Sequence, residues 1–256
     1  DQFRVGYFKQ SWQDFIASFK ELGKRFLAVL LLDIALFAVL ALGLVLFWSI
    51  ISKKLNYIPP MPIFNPEITP VSELQAFYNT VLGIRMGVGV YLLIFLIIAL
   101  FVWTFVKSLQ WSIILRRRYG IKLYLKHLAV NGMWQSAWII GIGALFFLLT
   151  PAVFKPLGLM LFIAYIHLSY IKYVQTVKTG NVFSSLKETQ WTGIARFYLF
   201  IIPYALIALV LLVLTQLYYV YRYLPDKLEI AVFLLLLVVW MSWARVYIAK
   251  VLDKLT

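Results

Sequence analysis

The chain contains no cysteine, so disulfides, thiolate nucleophiles and cysteine metal sites are excluded. Histidine is nearly absent too, represented only by His127 and His167. Missing as well are the His-Glu-x-x-His helix, the nucleophile elbow, the phosphate loop, the Asp-rich metal motif and the asparagine glycosylation sequon. The sequence therefore offers no catalytic residue, no metal site and no other cofactor site, and a haem would lack a second axial ligand at the depth of His167. Charge is scarce: 13% of residues are charged against 63% hydrophobic, too little to cover a water-soluble domain of 256 residues. The outer surface is expected to face lipid, and no soluble catalytic module fits beside it.

What the chain does have is six long apolar runs, at 26–51, 87–106, 134–150, 157–174, 197–221 and 230–247. Most reach the ~17 to 25 residues that a helix needs to cross ~30 Å of hydrocarbon. The expected fold is an all-α integral membrane protein of six transmembrane helices forming one domain over residues 1–256. Basic residues collect in alternate gaps. One side carries Arg4, Lys9, Lys20, Lys24 and Arg25, then Lys107, Arg116, Arg117, Arg118, Lys122 and Lys126, then Lys172, Lys178, Lys187 and Arg196, and finally Arg245, Lys250 and Lys254. The other side has Lys53, Lys54, Arg85, Lys155, Arg222 and Lys227. By the positive-inside rule both termini are expected in the cytoplasm, at the plasma membrane of a prokaryote. The net charge of +14 then reflects topology and attraction to anionic headgroups rather than nucleic-acid binding. Lys20, Lys24, Arg25, Arg116, Arg117, Arg118, Lys122, Lys126 and Lys187 are the candidate headgroup contacts.

Three amphipathic stretches precede the odd-numbered spans. In residues 1–25, Phe8, Trp12, Phe15, Ile16 and Phe19 share one helical face, as expected of a helix lying in the headgroup plane. The second stretch is Ile121, Tyr124, Leu125 and Leu128, ended by Asn131 and Gly132; the third is Phe183, Leu186, Trp191, Ile194 and Phe197. Ser18-Phe19-Lys20-Glu21 returns as Ser185-Leu186-Lys187-Glu188, which points to three repeated hairpins. This order of basic amphipathic helix, span, short turn and span, with Trp243, Arg245 and Tyr247 near the end, resembles a loose group of six-span prokaryotic membrane proteins. The group includes the membrane domain attached to some glycerophosphodiester phosphodiesterases. The resemblance implies an architecture and transfers no catalytic residue.

On the outer side, residues 52–86 hold Pro59, Pro60, Pro62, Pro66 and Pro70, followed by a short helix opened by a Ser72/Gln75 capping box. Inside the membrane the polar candidates are Asp33, His167, Lys172 and Arg245. A lone carboxylate at the depth of Asp33 costs ~2.5 to 3.5 kcal/mol on insertion scales, so a cationic partner is expected. Arg245 is the first choice and Lys172 the second, which would lock spans one, four and six or form a proton- or cation-coupled site. His127 is expected at the exposed interface. Trp12, Trp111, Trp134, Trp138 and Trp191 are expected in the inner aromatic belt, with Tyr57, Tyr219, Tyr221 and Tyr223 in the outer one. Together these features suggest a non-enzymatic protein that handles a lipid or amphiphile, or passes a small solute, in a cavity lined by spans one, four and six. The alternative is a scaffold subunit of a larger membrane complex.

Overall fold

The computed structural model describes residues 2–20, 23–58, 71–221 and 226–255. The prolines at 59–70, Glu21, Arg222 and Tyr223 lie outside the described residues, as do the side chains of Phe8, Tyr219, Tyr221 and Lys227. Every described element is helical: α1 (Gln2–Lys20), α2 (Lys24–Leu55), α3 (Val71–Ile114), α4 (Ile121–Leu148), α5 (Pro151–Lys178), α6 (Val182–Gln190), α7 (Ile201–Tyr221) and α8 (Asp226–Leu255). A π-helical turn, Trp191–Ala195, and a 3₁₀ turn, Phe197–Phe200, join α6 to α7. Six helices, α2 to α5, the α7 segment with its 3₁₀ lead, and α8, are long and apolar enough to cross a membrane. Their apolar side chains are widely exposed, as Ile139 and Ile140 at 70% illustrate, which is the surface that a bilayer covers.

Several boundaries differ from the sequence reading. The outer helix and the second span are one helix, and Ser72, expected to cap it, is already helical. Likewise Asn131 and Gly132 end nothing: α4 runs unbroken from Ile121 to Leu148, and the Asn131 side chain bonds to Thr104 of α3 instead of capping its own helix. Two starts follow ordinary capping chemistry. Pro151 opens α5, where its missing N–H costs no bond, and the Asn181 side chain accepts from Ser184 N at 2.7 Å to begin α6.

The chain divides into two compact units, residues 1–34 with 104–256, and residues 35–103. In the first, the core is built from Trp111, Ile171, Val174, Phe200, Trp243, Tyr247, Ile248 and Leu252. α4 packs on α5, α7 on α8, and α1 on α8. The α1 stripe is thus partly used by protein rather than by lipid. Phe19 stacks on Trp243 at 4.9 Å and Phe15 meets both Trp243 and Tyr247 edge-on, while Trp12 and Ile16 stay exposed. Trp243 Nε1 donates to Ser18 Oγ at 3.0 Å, and Lys254 pairs with Asp14 at 2.6 Å. The second unit comprises the later part of α2 and the earlier part of α3, joined by Phe47 stacking on Phe95 at 5.1 Å and by Lys54 over the Tyr91 ring at 5.3 Å. A Cβ on Gly43 would stand 3.2 Å from the Phe95 ring, so the helices meet closely there.

Candidate functional site

Asp33 is the centre of a fully hydrogen-bonded ion cluster. Its Oδ2 accepts from Arg245 Nη1 at 2.7 Å and from Ser242 Oγ at 2.6 Å; its Oδ1 accepts from Lys107 Nζ at 2.9 Å. Gln110 sits between the two cations, its Oε1 accepting 3.0 Å bonds from both, while its Nε2 donates to the Val29 carbonyl at 3.2 Å. All five side chains are buried. Helical spacing explains the convergence: Lys107 and Gln110 are three apart on α3, as are Ser242 and Arg245 on α8, so each pair shares a face. The cluster holds two cations against one carboxylate. Gln110 contributes the extra acceptor that lets both cations sit there.

Arg245 is the partner the sequence predicts for Asp33. The second cation differs. Lys172 bonds not to Asp33 but to Asn131 Oδ1 at 2.5 Å, its Nζ lies 4.1 Å from the Tyr173 ring centre, and Asn131 Nδ2 in turn donates to Thr104 Oγ1 at 3.0 Å. Lys107, counted from sequence as a cytoplasmic flank, takes the place at Asp33 because α3 continues two turns past the point where the apolar run ends. The lock therefore joins spans one, two and six.

His167 is also separate. Its Nε2 lies 3.0 Å from the Gly193 carbonyl, which can only accept, so Nε2 carries the proton and Nδ1 accepts from Tyr204 OH at 2.6 Å. The Gly193 carbonyl belongs to the π-turn. A Cβ at Gly193 would fall 2.2 Å from Leu168 Cδ2, so a larger residue there would have to displace the Leu168 side chain.

His127 is buried rather than interfacial, and Trp111 and Trp134 lie in the core rather than in an inner belt. Trp111 and His127 stack on Tyr173 of α5 at 5.9 and 6.1 Å, and a polar ladder joins α4 to α5. Lys126 donates to the carbonyls of Thr176 and Thr179, Asn131 holds Lys172, Trp134 Nε1 reaches Ser169 at 3.1 Å, and Gln135 reaches Tyr165 at 2.7 Å. Lys126 therefore serves the C-terminal carbonyls of α5 and is not a free headgroup contact. Among the described residues no three His, Asp or Glu side chains converge on a point where a metal could sit.

The remaining predicted headgroup residues are exposed: Lys20, Lys24, Arg25, Arg116, Arg117, Arg118, Lys122 and Lys187. Four of them share a cavity. It has a volume of 520 Å³ and lies where the α1–α2 junction meets the ends of α3 and α8. Lys20, Lys24, Arg25, Arg116 and Lys250 supply cations; Phe26, Val29, Leu115 and Val246 supply apolar wall. The acid in its lining, Asp253, already binds Lys178 at 2.8 Å. No protein-family model, curated protein or solved structure matches the chain.

Two backbone features belong to that cavity. The first turn of α2 carries the positive end of the helix dipole, a standing preference for anions. The second is Arg116, whose φ of 55° is the one positive value on a non-glycine residue among the described residues. α3 ends in a Schellman turn, with Arg117 N bonding to Ser112 O at 2.9 Å and Arg116 N to Ile113 O at 3.4 Å. Glycine ordinarily holds that left-handed position, and a side chain there costs roughly 1 to 2 kcal/mol. Below the cavity, the Val29 carbonyl ties its wall to Gln110 and so to the ion cluster.

Proposed function

We propose that the protein is a non-enzymatic polytopic membrane protein that binds an anionic amphiphile in the basic cavity at the ends of its spans. The observation carrying this reading is the lining itself, with cations from α1, α2, the end of α3 and α8 beside an apolar wall. Such a wall suits the glycerol and upper acyl region of a lipid, and the cations suit its phosphate. The basic end faces the cytoplasm in this reading, both termini are cytoplasmic, and the membrane is the plasma membrane of a prokaryote. Three hairpins, each entered by an amphipathic segment, form the scaffold; the packing of α4 on α5 and of α7 on α8 supports two of them. The polar clusters around Asp33, Lys172 and His167 serve as locks between helices.

The test is retention on vesicles. The purified chain is reconstituted in phosphatidylcholine, and a spin- or fluorophore-labelled anionic lipid is titrated in. The expected result is saturable binding that weakens as salt rises and is lost in Lys20→Gln/Lys24→Gln/Arg25→Gln; equal affinity for labelled phosphatidylcholine removes the proposal. Orientation is tested separately, and the absence of native cysteine makes this simple. A single cysteine at Lys155 should react with an impermeant thiol reagent in intact cells, and one at Arg117 should not.

A further inference from the structure

We infer that the cavity selects a phosphomonoester, the doubly charged phosphate with three terminal oxygens, and that Arg116 is the residue that reads the second charge. The inference rests on the amphiphile reading and names its ligand class.

The first argument is from strain. A left-handed arginine in a Schellman turn is disfavoured where glycine would be accommodated freely. Such outliers persist where a side chain is needed at that point, and this one places Arg116 in the cavity lining. Its neighbours Arg117 and Arg118 are outside the lining, so charge near the helix end does not by itself account for the choice of position.

The second argument is from donors. Lys20, Lys24, Arg25 and Arg116 have no carboxylate partner among the described residues, and Lys24 and Arg25 stand in the first turn of α2, at the positive end of its dipole. A phosphodiester offers two free oxygens and one negative charge. That is fewer acceptors than this set of ammonium groups and guanidinium forks can engage. A phosphomonoester offers a third oxygen and, above its second pKa near ~6, most of a second charge. The guanidinium fork of Arg116 can take two of those oxygens at once, which an ammonium cannot. The groups facing the phosphate are Lys20 from α1, Lys24 and Arg25 from α2, Arg116 after α3, and Lys250 and Asp253 from α8; none is a histidine. A pH dependence between ~5 and 8 would therefore report the ligand's own second ionisation.

The phosphate could belong to a lipid such as phosphatidic acid or to a free phosphomonoester, and the experiment separates them. The full chain in neutral detergent is titrated calorimetrically with dihexanoyl phosphatidic acid, dihexanoyl phosphatidylglycerol, dihexanoyl phosphatidylcholine and glycerol 3-phosphate. At pH 8 the phosphatidic acid is expected to bind about tenfold more tightly than phosphatidylglycerol, the worth of one added charge-assisted contact, and the ratio should shrink towards unity at pH 5. Arg116→Gly should abolish that preference while leaving the melting temperature equal or higher, since glycine suits the turn. Loss of binding with a preserved fold is not what a structural role predicts. Arg116→Lys, which keeps the charge but not the fork, should retain part of the preference.

Equal affinity for the two anionic lipids, or an unchanged ratio in Arg116→Gly, overturns the phosphomonoester assignment and leaves the amphiphile reading standing. Glycerol 3-phosphate binding as tightly as phosphatidic acid supports the phosphomonoester and overturns the amphiphile. No lipid exceeding phosphatidylcholine overturns both.

Discussion

The two compact units obey different rules. Residues 1–34 with 104–256 bury Asp33, Lys107, Gln110, Asn131, His167, Lys172, Ser242 and Arg245, each with named partners. In residues 35–103 the buried residues among those described are Leu36 and Ile51, both apolar. In lipid, apolar contacts give little preference for one helix neighbour over another, because acyl chains are as apolar as leucine. Polar pairs do give it, since a mismatched carboxylate or ammonium has nowhere to go. The first unit is thereby specified residue by residue. The second depends on close approach at Gly43 and on ring contacts.

The sharpest way to break this comparison is Asp33→Ala. It strands two buried cations and should cost ~3 to 5 kcal/mol in reversible unfolding in mixed micelles. Replacing Lys107 and Arg245 with Met in the same molecule should recover much of that loss; failure to recover would mean that the carboxylate does more than neutralise. Gly193→Ala comes next. Its Cβ would overlap Leu168, and a cost of roughly 1 to 3 kcal/mol is expected by the same assay, relieved in Gly193→Ala/Leu168→Ala. In the other unit Lys54→Met removes a cation held over Tyr91 and should cost only about 0.5 to 1 kcal/mol. Leu42→Ala, at a side chain 61% exposed, should stay within about 0.5 kcal/mol. Should Leu42→Ala destabilise as much as Asp33→Ala, the division of labour between the units is wrong.

The six spans were legible because length and apolarity are properties of consecutive residues. The Asp33–Arg245 pair was legible for an energetic reason, since a carboxylate at that depth demands a cation. Lys107 was hidden by that same logic of apolar runs: a lysine ends a run on paper, although α3 continues to Ile114 around it. Gln110 and Ser108 nearby were the available sign that a polar face continued. His127 is hidden by Asn131 and Gly132, which look like a helix end in sequence although α4 continues through them. Read with Asn131 and Trp134 at helical spacing, it belongs to one buried face of α4. The π-turn could not be foreseen, since the fit of Gly193 against Leu168 exists only once α5 is in place. Nor could the backbone of Arg116, where the residue type points away from the conformation adopted.

The order in which the Asp33 cluster is completed has a consequence for biogenesis. The partners of Asp33 lie 74 and 212 residues further along the chain, Lys107 and then Arg245. At a synthesis rate of ~5 to 20 residues per second, Lys107 follows Asp33 by roughly 4 to 15 seconds and Arg245 by roughly 10 to 40 seconds. Until Lys107 is made, the apolar run of α2 alone must hold the carboxylate in the membrane. A nascent chain stopped short of α8 has Oδ1 matched and Oδ2 with neither Ser242 nor Arg245.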